Sequence, residues 1–176
     1  SVQIITFKNF KAPLLSGPPT DTTIMASGDS CGAFVVLPRL VATDCSSGLV
    51  VTNDCTMTGD SIAMFFPLGS KTITFTAIDA CGNVSTFQTT VNVIDNEGPV
   101  LVCPPDTVIG CGFPTDTSIT GSPMVMDNCD TIIGMAVMFQ DSVVDGSCPQ
   151  EMTIFRIFTA SDSSGNMATC VQMISV

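Results

Sequence analysis

The chain contains no histidine, and it has only five lysine and arginine residues against sixteen aspartates and glutamates. Without histidine it lacks a Ser-His-Asp or Cys-His set and any imidazole that titrates near neutral pH. A formal net charge of −11 argues against binding to nucleic acid or to an anionic membrane surface. The carboxylate pairs Asp127/Asp130 and Asp95/Glu97 lie in turn sequences, where aspartate is favoured for its own backbone hydrogen bonds. We therefore predict that the protein is not an enzyme.

Long apolar runs are also missing. No stretch approaches the roughly 20 apolar residues of a membrane span, so we predict no membrane insertion. No signal peptide is present, so an exported form is expected to begin after its cleavage site. Apolar residues do not recur at helical spacing; eleven prolines and fourteen glycines divide the chain into short runs instead. This pattern predicts an all-β protein.

A strand–turn–strand sequence occurs twice. TFTAIDACGN at Thr74–Asn83 returns as FTASDSSGN at Phe158–Asn166. Each copy alternates threonine with apolar residues and then enters Asp-x-x-Gly-Asn, where Gly and Asn tolerate the backbone of a tight turn. A second alternating run follows each copy, at Phe87–Val93 and Cys170–Val176. The repeat predicts two tandem β-domains, at residues 18–95 and 96–176, after an N-terminal strand arm at 1–17.

The arm is a surplus copy of the closing strand. Laid without gaps, residues 1–19 match residues 87–105, so that Ile5 and Phe7 fall on Val91 and Val93. Three explanations remain open: the last strand of a preceding repeat, packing against its own domain, or an arm that pairs with a sheet edge of another subunit. The third would bury the apolar side chains of Val2, Ile4, Ile5, Phe7 and Phe10.

The run FFPLGSKTITFTAIDACGN, from Phe65 to Asn83, resembles the hyalin repeat (HYR module). In the second body CPPDT, PMVMDNCD and SCPQEMTIFRIFTASDSSGN are similar to the bacterial tandem form found in secreted adhesins. One departure is that Ile157 and Phe158 stand where the module commonly has tryptophan before its TA-x-D turn. The resemblance implies two tandem immunoglobulin-like β-sandwiches, a secreted or cell-surface location, a bacterial origin, and a role in adhesion or structure.

Nine cysteines without a C-x-x-C pair or a histidine favour disulfides over a zinc site. In a sandwich of the implied topology Cys103 begins the first strand and Cys170 lies in the last, and their bridge would close a long loop worth about 4 kcal/mol. Several connectivities are open. The preferred pairs are Cys103–Cys170, Cys45–Cys81, Cys31–Cys55 and Cys111–Cys148. Cys129 is then the odd thiol, either buried or available to another chain.

Two further sites are candidates for ligand binding or modification. Asp95, Asn96 and Glu97 lie between the predicted domains, where oxygen ligands for calcium could converge, although the spacing is not that of an EF-hand. No other cofactor or metal is expected. Asn83 begins an N-x-S acceptor sequence for a glycan and lies in a turn that we expect to be exposed.

Two functional hypotheses follow from the surplus strand and the low charge. The first is a structural protein: an extracellular subunit that polymerises with copies of itself into a surface filament through the arm and domain faces. Ten methionines and eleven phenylalanines favour such contacts, because apolar residues beyond the needs of the core leave exposed patches. The alternative is an adhesion module from a longer array, whose loops bind a glycan or protein ligand.

Overall fold

The structure, a computed structural model, describes residues 8–45, 47–130 and 136–176. These residues form β-strands joined by turns, with a single 3-10 turn at Gly28–Ser30 and a one-turn helix, α1, at Thr117–Thr120. The predicted all-β class is therefore confirmed. The chain forms two compact units whose main boundary falls between Ile94 and Asp95, one residue from the predicted division.

The described part of unit 1 contains eight strands. They are β1 (Leu14–Ser16), β2 (Asp21–Met25), β3 (Gly32–Leu37), β4 (Val41–Thr43), β5 (Val50–Asn53), β6 (Ile62–Pro67), β7 (Gly69–Ile78) and β8 (Val84–Ile94). One sheet has the order β2-β8-β7-β5; β3 pairs with β6, and β1 pairs with β4. β1 lies within the predicted arm, residues 1–17, and pairs antiparallel with β4 of this unit; the extent of the arm stays a prediction.

The core of unit 1 lies between the four-stranded sheet and the β3–β6 pair. Ile73 and Phe75 of β7 point inward together with Val91 of β8, and all three are fully buried. Val35 of β3 and Phe66 of β6 belong to the same cluster, so the two sheets cover each other. The alternation of apolar and polar residues predicted for these strands is what places one face of each against the other.

The predicted hairpin is present in both units. In unit 1 β7 pairs antiparallel with β8 from Gly69/Val93 to Ile78/Val84. Gly82 lies in the turn with a φ of 85°, a backbone conformation that explains why glycine precedes asparagine in the repeated sequence. On the far side of β8, β2 pairs parallel to it.

Unit 2 contains six strands in its described part. They are β9 (Val100–Val102), β10 (Thr107–Val108), β11 (Met124–Met126), β12 (Ala136–Asp145), β13 (Met152–Ser161) and β14 (Met167–Ser175). The sheet order is β10-β14-β13-β12, while β9 pairs with β11. This is the order of unit 1, with β12 at the position of β5.

The second layer is where the two units differ. In unit 1, β5 stops at Asn53 and the chain continues into β6, which pairs with β3. In unit 2, β12 instead continues along β13 for ten residues, from Ala136/Ser161 to Asp145/Met152. Within the described ranges unit 2 therefore has no counterpart of the β3–β6 pair, which the sequence repeat had led us to expect.

Candidate functional site

The most unusual surface of the molecule is strand β12, all ten residues of which are exposed. Its pairing with β13 places Val137, Phe139 and Val143 opposite Ala160, Phe158 and Ile154, three residues that are buried on the inner face of the sheet. In unit 1 the corresponding face is covered by β3 and β6. We call Val137, Phe139 and Val143 the β12 apolar row.

Side chains of β13 pack against Phe139 of the β12 apolar row. The ring of Phe139 lies 6.0 Å from the ring of Phe158, and the guanidinium carbon of Arg156 lies 4.5 Å from the centre of the Phe139 ring. About half of Phe139 nevertheless remains exposed. The row is therefore a firm surface with apolar side chains that nothing in the described part of the chain covers.

A buried arginine supports this surface. Arg156 is almost fully buried and donates to both carboxylate oxygens of Asp141 on β12, at 2.8 and 2.7 Å, and to Thr120 Oγ1 at 2.8 Å. The hydrogen bonds to Asp141 raise the pKa of Arg156, although burial opposes them, so the side chain stays charged. The ion pair fixes β12 to β13 at the middle of their ladder.

Next to Arg156 the core of unit 2 is also polar. Gln172 of β14 is fully buried and its Nε2 donates to the carbonyl oxygens of Pro105 and Thr120, at 2.9 and 2.7 Å. In unit 1 the corresponding pair of residues is Ile73 with Thr89. Sequence analysis missed this polar core, although an arginine inside TIFRIF and an aspartate inside FQDSVV were its signal.

The first residues that the structure describes are held on unit 1. Asn9 Nδ2 donates to Asp44 Oδ1 at 3.0 Å and to Asp79 Oδ2 at 3.2 Å. Phe10 is exposed, and the ammonium group of Lys8 lies 5.6 Å from the centre of its ring. The other predicted arm residues lie outside the described residues: Val2, Ile4, Ile5 and Phe7.

One disulfide is present among the described residues, and it joins Cys103 to Cys170. It connects the segment after β9 to the middle of β14, so it ties the entry of unit 2 to its last strand. This is the bridge that we predicted from the sandwich topology implied by the resemblance. Five other cysteines carry thiols in this structure: Cys45, Cys55, Cys81, Cys111 and Cys148.

The three other preferred pairs are accordingly not bonded in this structure. The Cys45 and Cys81 turns are neighbours, because Asn9 binds both Asp44 and Asp79. Cys111 Sγ donates to the carbonyl oxygen of Gln150 at 3.8 Å, close along the chain to Cys148. Burial, with a contribution from Asp54, raises the pKa of the Cys55 thiol. Cys31–Cys55, Cys45–Cys81 and Cys111–Cys148 stay predictions, as does the role of Cys129, which is half-buried.

Asn83 has a structural role that the sequence did not reveal. Its Nδ2 donates to Asp79 Oδ2 at 2.8 Å and to the carbonyl oxygens of Asn9 and Lys11. Asn83 is half-buried, and Nδ2, the nitrogen that would carry a sugar, is engaged in these bonds. The glycan site stays a prediction. Asn166 repeats the arrangement in unit 2, where it donates to Asp162 Oδ2 at 2.7 Å.

The Asp79 carboxylate is the centre of the unit 1 turn. Burial raises its pKa, but hydrogen bonds from the Asn83 side chain and from the backbone amides of Asn83, Cys81 and Gly82 outweigh burial and lower the pKa overall. Cys81 N and Asn83 N donate to Asp79 Oδ1 at 2.9 and 2.8 Å. The repeated aspartate is thus the acceptor that closes the hairpin.

The calcium candidates are arranged as a turn. Asp95 Oδ1 accepts from Glu97 N at 3.1 Å, and the Asp95 carbonyl oxygen accepts from Asn166 Nδ2 at 3.4 Å. Asn96 and Glu97 are exposed. The described residues contain no group of three or more acidic, cysteine or histidine side chains placed to hold a metal. Calcium stays a prediction, which melting with and without a chelator tests.

The other surfaces of the described residues carry fewer features that point to a function. A cavity of about 580 Å³ in unit 1 is lined by apolar residues and by the ion pair of Arg39 with Asp60, and no serine, threonine or cysteine lines it. A search of the described residues found no helix long and apolar enough to cross a membrane.

The chain is similar to animal proteins over most of its length. It is 29% identical over 170 residues to hyalin of Strongylocentrotus purpuratus and 28% identical over 170 residues to hyalin of Lytechinus variegatus, each match covering 93% of the chain. It is also 30% identical over 174 residues, or 96% of the chain, to the rat sushi, von Willebrand factor type A, EGF and pentraxin domain-containing protein 1. The matches cover 14%, 31% and 5% of those three proteins. They support hyalin-repeat-like domains.

No family model matches the chain. Among solved structures, Drosophila N-cadherin EC1-4 is 14% identical, with a TM-score of 0.44, and the match covers 94% of this chain and 49% of that one. Mouse cadherin-23 EC22-24 gives the same identity and TM-score, with 96% and 65% covered. The relatives by sequence are sea urchin and rat proteins, so they give no support to the predicted bacterial source.

Proposed function

We propose that the chain is a non-enzymatic extracellular structural protein, a subunit of a surface filament that assembles from copies of itself through its N-terminal segment and exposed sheet surfaces. The observation that carries this proposal is the exposed β12, which has the β12 apolar row on one face and a strand edge along its length. An apolar sheet face of this kind favours protein contacts. Similarity to hyalin supports an adhesion or structural role.

An extracellular location also agrees with the Cys103–Cys170 bridge, because disulfides persist in oxidising compartments. The alternative function, an adhesion module that binds a glycan or protein ligand, is favoured by the small share of each relative that the chain spans. In that case the chain is one part of a longer array.

Sedimentation and electron microscopy of the full chain test the proposal. We expect concentration-dependent oligomers or filaments, and we expect deletion of residues 1–7 to abolish them. The deletion stops before Asn9, because Asn9 binds Asp44 and Asp79 and its loss would disturb unit 1. Compact monomers at every concentration, with and without the deletion, would refute the filament and leave the adhesion module.

A further inference from the structure

We infer that β12 of unit 2 is the edge that accepts a strand formed by residues 1–7 of a second copy of this chain. The inference rests on the proposed function and adds to it the acceptor and the donor. Three independent features of the chain lead to it: the open edge of β12, the apolar residues of the N-terminal sequence, and the charge of the two partners.

The first feature is the edge itself. β12 is the outer strand of the order β10-β14-β13-β12, and among the described residues it pairs with β13 alone. A strand of ten residues at an edge presents a row of backbone donors and acceptors on its outer side. An added strand satisfies those groups and extends the sheet.

The second feature is the match between donor and acceptor patterns. In SVQIITF, Ile5 and Phe7 share one face of an extended strand, because side chains alternate. Their counterparts in the repeat, Val91 and Val93 of β8, are buried in the core of unit 1. Placed beside β12 with the same face inward, Ile5 and Phe7 would lie next to the β12 apolar row and shield it from water.

Charge is the third feature. Residues 1–17 contain Lys8 and Lys11 and no acidic residue, whereas residues 95–176 contain ten acidic residues and one basic residue, Arg156. Asp145 at the end of β12 and Glu151 in the following loop are exposed. Lys8 and Lys11, which follow directly after the donor residues 1–7, are therefore attracted to an acidic acceptor, and two like-charged second units repel each other. This complementarity selects the N-terminal segment of a second copy as the occupant.

Such a contact is heterologous, because the donor is at the N-terminal end and the acceptor is in unit 2. Each molecule then gives one strand and receives another, and the contact propagates instead of closing as a two-fold dimer. The structure thus provides the two different surfaces that a filament of identical subunits needs.

A matched pair of variants in the full chain tests the acceptor. Val143 belongs to the β12 apolar row and Val144 points to the other face, and both are 54% exposed. We expect Val143→Lys to weaken assembly by about tenfold or more, since it places a charge against the apolar face of the donor strand, and Val144→Lys to change it much less. Far-UV circular dichroism checks that both variants fold, which their exposure favours.

Hydrogen exchange gives a second readout that does not depend on a variant. On assembly the amides of Ala136–Asp145 should gain protection. A synthetic peptide of residues 1–10, added to the full chain, should protect the same amides and shorten the assemblies. A peptide with Ile5 and Phe7 both replaced by lysine is the control and should do neither.

The outcomes separate this inference from the filament proposal. Normal assembly of Val143→Lys together with unprotected β12 amides overturns the inference while the filament stands. Protection of β12 that is independent of protein concentration also overturns it, because the chain's own segment then fills the edge. A monomeric chain whose β12 is protected by the peptide supports the acceptor edge and refutes the filament. A monomeric chain without such protection refutes both.

Discussion

Arg156 on β13 and Asp141 on β12 form a two-point ion pair, in which Nε donates to Oδ1 at 2.8 Å and Nη2 to Oδ2 at 2.7 Å. The two side chains differ in environment: 2% of the arginine side chain and 28% of the aspartate side chain are exposed to solvent. A charge that is almost fully buried depends on its partner more than a partly solvated one does. The pair therefore connects the stability of unit 2 to the attachment of its edge strand.

We predict that Asp141→Ala destabilises unit 2 by about 2–3 kcal/mol, less than the loss of a partner from a fully buried pair, because Asp141 is partly solvated. The double change Asp141→Val with Arg156→Ile is the control; it imitates Ile73 of unit 1 and should recover most of the loss. Denaturant unfolding followed by far-UV circular dichroism measures both, since the chain has no tryptophan or tyrosine. Equal losses for the two variants would contradict the explanation.

The Cys103–Cys170 bridge should contribute about 4 kcal/mol to the stability of unit 2, because it closes a loop with a sequence separation of 67 in the unfolded chain. We predict this loss for the double variant Cys103→Ser with Cys170→Ser under non-reducing conditions. Peptide mapping without reductant verifies the bond in the parent chain. An unfolding curve that does not change would show that this bond adds nothing.

Thiol reactivity should differ among the cysteines. Burial and Asp54 raise the pKa of Cys55, so at neutral pH it forms less thiolate, the species that reacts. We predict that iodoacetamide modifies Cys55 more slowly than the exposed Cys45, Cys81, Cys111 and Cys148. Mass spectrometry of timed digests measures the order. If Cys45 and Cys81 are protected together and are released together by reductant, they form the predicted disulfide.

Acid should weaken unit 1 through Asp79. Its pKa is lowered in the folded chain, so it stabilises the fold above its unfolded pKa of about 3.9, and this contribution is lost as pH falls further. We predict that Asp79→Asn destabilises unit 1 near neutral pH and that its difference from the parent chain shrinks in acid. Asp21→Asn, on an exposed residue at the start of β2, is the control for the removal of a surface carboxylate. Thermal melts across this pH range measure the effect.

The strands and turns of the repeat could be predicted from the sequence because each depends on a few neighbouring residues. Alternation in TFTAIDACGN fixes a strand, and the following Gly-Asn fixes the turn. The same short pattern predicted only that Asp79 lies in a turn. Asn9 bonds to Asp79 and accepts a bond from Asn83, and these contacts join segments about seventy residues apart, which no short-range pattern encodes.

The open face of unit 2 was not predictable for a different reason. The two units have similar lengths and matching hairpins, so the repeat implied the same two layers in both. The strand after β11 can either join a second sheet or pair with β13. Contacts between residues far apart in the sequence decide which of the two forms. In unit 2 the pairing of Asp141 with Arg156 holds the strand in the first sheet, and this choice leaves the β12 apolar row uncovered.

The bond between Cys103 and Cys170 also has a mechanical consequence. Tension applied along the chain enters unit 2 near Cys103 and passes through the sulfur atoms directly to Cys170, so the residues between them carry no load. Pulling can then peel away the stretches outside the bond, residues 95–102 and 171–176, and the β12 edge keeps its shape under force. Unit 1 has no disulfide among its described residues and resists through non-covalent contacts, which include the pairing of β1 with β4 and of β2 with β8, so it should be the first unit to stretch.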